Sequence, residues 1–308
     1  MSPRPKTGIS EHGLRGIALM VLGIAAFSAT DGLSKWMVMA APIPEIVAIR
    51  NALTILLILP LMARSGGLQA IATRRGWAHA LRGLLSACAL VTFFVGLRSL
   101  PLATSIAIGF ASPLFMTAAS VVLLGEHVGW RRWAAVGTGF VGVLVIAAPH
   151  AGSAASWPAA IMVISSLFFA LSMITVRWLA RTESDVAMLF YQNVGMMLAG
   201  VAGLPFVWQP PRLIDLTVIA GMAATLAVGQ LFTIRAFRAA PVAVVAPFEY
   251  TELLWASLIG YAVWGERPAG HVWAGAAIVV LSGLYVTWRE AQAARRAAAA
   301  ASAIASAP

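Results

Sequence analysis

The sequence predicts an all-α integral membrane protein: ten transmembrane helices, arranged as two inverted five-helix repeats, with both termini in the cytoplasm. Three observations predict it: long apolar blocks, an internal repeat, and a lopsided placement of Lys and Arg. Of 308 residues, 60% are hydrophobic and only 10% charged, against about 25% charged in soluble domains. About 20 apolar residues in a row span the hydrocarbon core as a helix. Outer-membrane strands instead alternate apolar and polar residues over about ten positions, and these blocks do not.

The blocks run, in order, over residues 17–39, 45–63, 77–97, 102–124, 132–148, 157–180, 185–207, 215–237, 242–264 and 271–288. Punctuation separates them: Pro42 and Pro44, Gly66-Gly67, Pro101, Gly125-Glu126, Pro149, Pro210-Pro211, Pro241 and Gly265-Glu266. Such short links leave neighbouring helices antiparallel. The division that follows is a leading segment 1–16, a first five-helix unit 17–148, a second unit 157–288, and an Ala-rich tail 289–308. The tail holds Arg295-Arg296 and reads as a fraying helix at the cytoplasmic surface.

The repeat is visible by shifting the chain on itself. With a shift of 140, residues 97–144 lie on 237–284 without a gap. Arg98 meets Arg238, Pro101 meets Pro241, Gly125-Glu126 meets Gly265-Glu266, and Trp133-Ala134 meets Trp273-Ala274. With a shift of 142, Phe27 meets Phe169, Lys35-Trp36 meets Arg177-Trp178, and Asn51 meets Asn193. Each unit holds five spans, an odd number, so the second copy enters from the opposite face. Inverted repeats are a recurrent architecture of secondary transporters. Two similar halves facing opposite ways can exchange conformations, which gives two states of similar energy.

Sixteen of the 21 basic residues fall on the side of the termini, among them Arg4, Lys6, Arg74, Arg75, Arg131, Arg132, Arg289 and Arg295. Lys35, Arg50, Arg98, Arg212 and Arg267 fall on the other. That asymmetry places the termini in the cytoplasm of a bacterial inner membrane. It also accounts for the net charge of +10 without a nucleic-acid partner, since no continuous basic patch forms. No phosphate-binding Gly-x-x-x-x-Gly-Lys loop is present, so ATP is not expected as a partner. The single Cys88 and the five dispersed histidines make no metal set. Neither a cofactor nor a catalytic residue is expected.

Charges at bilayer depth cost about 2.5–3.5 kcal/mol on insertion scales, so such residues usually serve a pathway or a partner. Asp31 either takes a cationic group or a proton, or is neutralised by Lys35 one turn on. Arg50, followed by Asn51, offers a forked donor to a carboxylate or phosphate, or else counters Asp31 or Glu45. Glu249 and Glu252 share one helix face behind Pro247, which removes a backbone donor. Two close carboxylates resist double ionisation. The pair is a candidate for carrying a coupling proton or gating, or for gripping a basic group; the alternative is pairing with Arg50 or Arg235. Gln192 and Asn193, beside Tyr191, either line a cavity or tie helices together. Trp36, Phe110, Tyr250 and Trp255 either stack on a flat or cationic cargo or serve as packing and interfacial residues. Glu126 and Glu266 are expected to hold free N–H groups at the start of the following helix. Glu249 and Glu252 align with Gly109 and Ser112, and Asp31 with Met173, so these acids are not part of the repeated scaffold.

The patterns at 121–126 and 262–266, each ending in Gly-Glu, the run Trp130-Arg131-Arg132-Trp133, and the two five-helix units resemble the EamA branch of the drug/metabolite transporter superfamily. The resemblance covers about residues 15–288. Residues 27–36, with Asp31 and Lys35, and 45–51, with Arg50, are similar to the subgroup of bacterial riboflavin and S-adenosylmethionine importers. It implies a secondary transporter for a small-molecule metabolite, with protons as candidate partners. The mixed acid–base set points to a zwitterionic or cationic cargo, whether amino-acid-like, S-adenosylmethionine-like or riboflavin-like. The competing class is a lipid flippase or a lipid-acting membrane enzyme.

Overall fold

Helix ends fall where the sequence withholds a backbone donor or turns the chain. A computed structural model describes residues 11–125, 129–147, 156–180, 182–240 and 242–305. Helix α1 (Glu11–Ala40) stops before Pro42, and α2 (Ile43–Arg64) has proline in its first turn, where the missing N–H costs nothing. A short 3-10 turn, Gly67–Ile71, leads to α3 (Gly76–Leu97). Pro101 precedes α4 (Leu102–Gly109), which is followed by α5 (Ser112–Leu124) and α6 (Trp130–Ala147). The second half comprises α7 (Ser156–Leu179), α8 (Asp185–Val207), α9 (Leu213–Ala239), α10 (Val242–Val245), α11 (Glu252–Trp264) and α12 (Gly270–Ala305). Gly125 and Gly265 occupy matching positions after α5 and α11 with φ of 67° and 66°, a left-handed turn that a side chain would strain.

The described residues form helices and no strand. Among the described residues, seven helical stretches are long and apolar enough to cross a membrane: those of α1, α2, α3, α4–α5, α7, α8 and α9. Within α6 and α12 the apolar parts, Trp133–Ala147 and Gly270–Val286, are shorter. The ninth block is broken by a 3-10 turn, Ala246–Thr251, between α10 and α11. The fourth block breaks at the matching place, between Gly109 and Ser112. Different residues cause the two breaks. Pro113 sits in the first turn of α5, whereas Pro247 opens the 3-10 turn.

Packing follows the repeat. Helix α1 lies against α9 and α3 against α7, which are equivalent pairs when the halves are exchanged. Helices α2 and α8 pack on one another, as do α6 and α12, and each of these joins a helix to its own counterpart. The α6–α12 crossing is close enough that a Cβ on Gly142 would come within 2.8 Å of the Gly275 carbonyl, and one on Gly275 within 2.6 Å of the Gly142 carbonyl. Small residues let such helix backbones approach closely, and the tight packing that results favours their association in lipid. Ala107, Ile108, Ala111, Ile146, Met162 and Val279 form the buried cluster where α4, α6, α7 and α12 meet.

Candidate functional site

The two broken helices leave space between the halves. A cavity of about 510 Å³ is lined by both, with side chains from α1, α2, α3, α4, α5, α7, α8, α9, the 3-10 turn and α11. Asp31, Arg50, Phe110, Gln192, Glu249, Tyr250 and Glu252 all line it. Asp31 meets Glu252, the first residue of α11, at hydrogen-bonding range, with the Arg50 guanidinium nearby. Glu249 interacts electrostatically with Glu252 from one turn earlier and is the more exposed of the two. Tyr250 meets Phe110 edge to face, with ring centres 5.1 Å apart.

Two ion-pair alternatives resolve against the obvious partner. Lys35 turns away from Asp31: it pairs with Glu266 and donates to the Leu100 carbonyl at 2.9 Å. Asp31 is therefore left facing the cavity. Among the described residues, no ion pair within 4 Å joins Glu249 or Glu252 to Arg235 or Arg50. Arg50 is 6% exposed, lies 5.8 Å from the Phe94 ring centre, and its Nε has no hydrogen-bond partner.

Other predicted residues lie off the cavity. Trp36 is 55% exposed on the outside of the bundle, because one residue beyond Lys35 turns about 100° around the helix. Asn51 and Asn193 are buried, and each donates back to a carbonyl one turn earlier, Val47 at 2.7 Å and Leu189 at 2.8 Å. The Nδ2 of each is satisfied locally, in the same way in each repeat, whereas the buried Asn51 Oδ1 has no partner. Pro247 opens the 3-10 turn that presents Glu249 and Tyr250. Glu266 does not hold the following helix. Its Oε2 accepts from Leu102 N at 2.8 Å, capping α4 in the other half. Glu126 lies outside the described residues.

Sequence reasoning missed Arg82. It was counted as a marker of the cytoplasmic side, yet it is 5% exposed and donates to the Met188 carbonyl at 2.8 Å and to Gln192 Oε1 at 2.6 Å. Its position inside an apolar block was the available signal. Close by, His79 contacts Glu183 at 3.3 Å and Tyr191 donates to the Ile71 carbonyl at 3.0 Å. These contacts tie α3 and the link before it to the α7–α8 corner. At the other end, Arg98 donates to the Val38 and Ala41 carbonyls at the close of α1, at 2.6 and 3.2 Å.

A bundle of apolar helices built from two related halves around a mostly apolar cavity with a few charged side chains on its wall has the form of a membrane carrier. The chain belongs to the EamA-like transporter family, whose profile matches residues 14–148 and 156–288. It is therefore a multi-pass membrane protein of the transporter class, not an enzyme. It is 31% identical to a riboflavin transporter from Rhizobium johnstonii over 89% of this chain and 91% of that one. It is 26% identical to an S-adenosylmethionine uptake transporter from Rickettsia bellii, over 90% and 95%. It is 27% identical to a pseudopaline exporter from Pseudomonas aeruginosa, over 87% and 94%. A solved crystal structure at 15% identity superposes with a TM-score of 0.60, covering 88% of this chain and 95% of that one, and supports the fold alone.

Proposed function

We propose that this chain is a secondary active transporter that moves a small organic metabolite across the bacterial inner membrane by alternating access between its two halves. Ten spans, with α6, α10–α11 and α12 crossing as well, bring both termini to the cytoplasmic side. Residues 17–148 and 157–288 are the two moving units, flanked by a leading segment 1–16 and a tail 289–308. The observation that carries the reading is the cavity shared by both halves, with Asp31, Arg50, Glu249 and Glu252 on its wall and no full set of internal counter-charges.

In this reading Asp31, Arg50, Gln192, Glu249, Glu252, Tyr250 and Phe110 contact the cargo. Glu249 and Glu252 carry a coupling proton, and the Pro247 turn lets that arm flex. Relatives named for riboflavin, S-adenosylmethionine and pseudopaline support a metabolite rather than a simple ion as cargo. Reconstitution in proteoliposomes under an imposed pH gradient tests it. Uptake of a metabolite that depends on the gradient in wild type, and no longer does so in Glu249→Gln and Glu252→Gln, is expected. Variants equal to wild type in rate and pH dependence would rule out the coupling role.

A further inference from the structure

We propose that the cavity selects metabolites carrying a positive charge beside a flat ring, with Asp31 and Glu252 setting that preference and Arg50 taking an oxygen of the same molecule. The proposal rests on the transport reading and narrows its cargo. Three carboxyls share one wall: Glu252 interacts electrostatically with both Asp31 and Glu249, and among the described residues Arg50 is the basic side chain that answers them, through Asp31. The other two buried cations nearby are engaged elsewhere. Lys35 is held by Glu266 and the Leu100 carbonyl, and Arg82 by Met188 and Gln192. A buried carboxylate without a counter-charge is costly and either takes up a proton or meets a cation; an occupant that brings positive charge answers this wall in the second way.

The occupant is an organic cation. Among the described residues no group of three or more His, Cys, Asp or Glu is placed to hold a metal ion. The acids instead border a space of about 510 Å³, within the range of about 300–1,000 Å³ that takes drug-sized ligands. Phe27, Phe93, Phe110 and Tyr250 supply aromatic walls, which pack against flat rings and attract cations at their faces. Independently of the acids, Arg50 lines the cavity, is nine-tenths buried, and keeps an Nε–H without an acceptor. Guanidinium can only donate, so the ligand completes the site by also offering an acceptor oxygen. The relatives named above divide on this property. Riboflavin carries no cationic centre at neutral pH, whereas S-adenosylmethionine carries a permanent sulfonium next to its adenosine, with an ammonium and a carboxylate at the far end.

The test measures binding of S-adenosylmethionine, S-adenosylhomocysteine and riboflavin to the full-length protein in detergent by calorimetry. S-adenosylhomocysteine differs from the first ligand by one methyl group and the sulfonium charge that goes with it. S-adenosylmethionine is expected to bind at least about tenfold more tightly than either of the others. The preference is expected to shrink below about threefold in Asp31→Asn and Glu252→Gln. Where either variant fails to fold, Glu249→Gln, which is more exposed on the same wall, carries the comparison. Equal affinities, a preference for riboflavin, no binding of S-adenosylmethionine, or a preference that survives the substitutions would each overturn the proposal. Uptake into proteoliposomes separates it from the transport reading. Riboflavin uptake without charge preference sinks the selection alone, and charge-selective binding with no uptake of any of the three sinks transport alone.

Discussion

Glu249, Glu252 and Glu266 lie within eighteen residues of one another and behave as two different kinds of residue. Glu266 recurs in the other repeat as Glu126. It is fully engaged, by Lys35 on one oxygen and by the Leu102 N–H on the other. Glu249 and Glu252 have Gly109 and Ser112 as their counterparts, and they face the cavity beside Asp31. The repetition of Glu266 fits a scaffold residue, and Glu266 holds the start of α4. In the proposed reading, an acid that appears once serves an off-axis ligand. The contrast predicts opposite phenotypes: loss of stability in the first region and loss of transport in the second.

The largest effect expected is on the scaffold side. Lys35→Met leaves the Glu266 carboxylate largely buried without its cation, which costs about 3 kcal/mol, read as a lowered midpoint of thermal unfolding in detergent. A midpoint equal to wild type would mean that the pair is not structural. Next comes the replacement of both cavity glutamates by small neutral residues, Glu249→Ala with Glu252→Ser. Uptake is expected to fall at least about tenfold, the scale of losing one or two charged contacts, while the unfolding midpoint holds or rises. A variant that unfolds but still transports would invert the comparison. At the α6–α12 crossing, Gly142→Ala forces a methyl against the Gly275 backbone and is expected to cost about 1–3 kcal/mol. Asn51→Ala should sit near the bottom, at about 0.6 kcal/mol, with uptake unchanged. Trp36→Ala, on the bundle exterior, should leave cargo affinity at the wild-type value.

Most of this fold was legible because lipid imposes a simple rule: an apolar run of sufficient length becomes a helix. The ends were legible because Pro42, Pro101, Gly125 and Gly265 each act through the local backbone. The paired breaks of the fourth and ninth blocks were harder to see. Pro247 announced one, but the other follows from Pro113 in a block that otherwise reads as continuous. Within the site, acids and Arg50 stood out because charge at depth demands a reason. Facing was the weak point. A difference of one residue sent Trp36 outward, and Lys35 found Glu266 across the bundle rather than Asp31 along its own helix. Partners distant in sequence carry no local signature. Arg82 was hidden by the same positive-side count that predicts the orientation.

The Lys35–Glu266–Leu102 arrangement bears on how the halves can part. One carboxylate serves two clients from the first half, an ammonium on α1 and the leading N–H of α4, while itself belonging to the second half. If the halves part as proposed, separation at that end exposes three polar groups together. In that reading water must enter as the contact breaks, which opposes small excursions at that end.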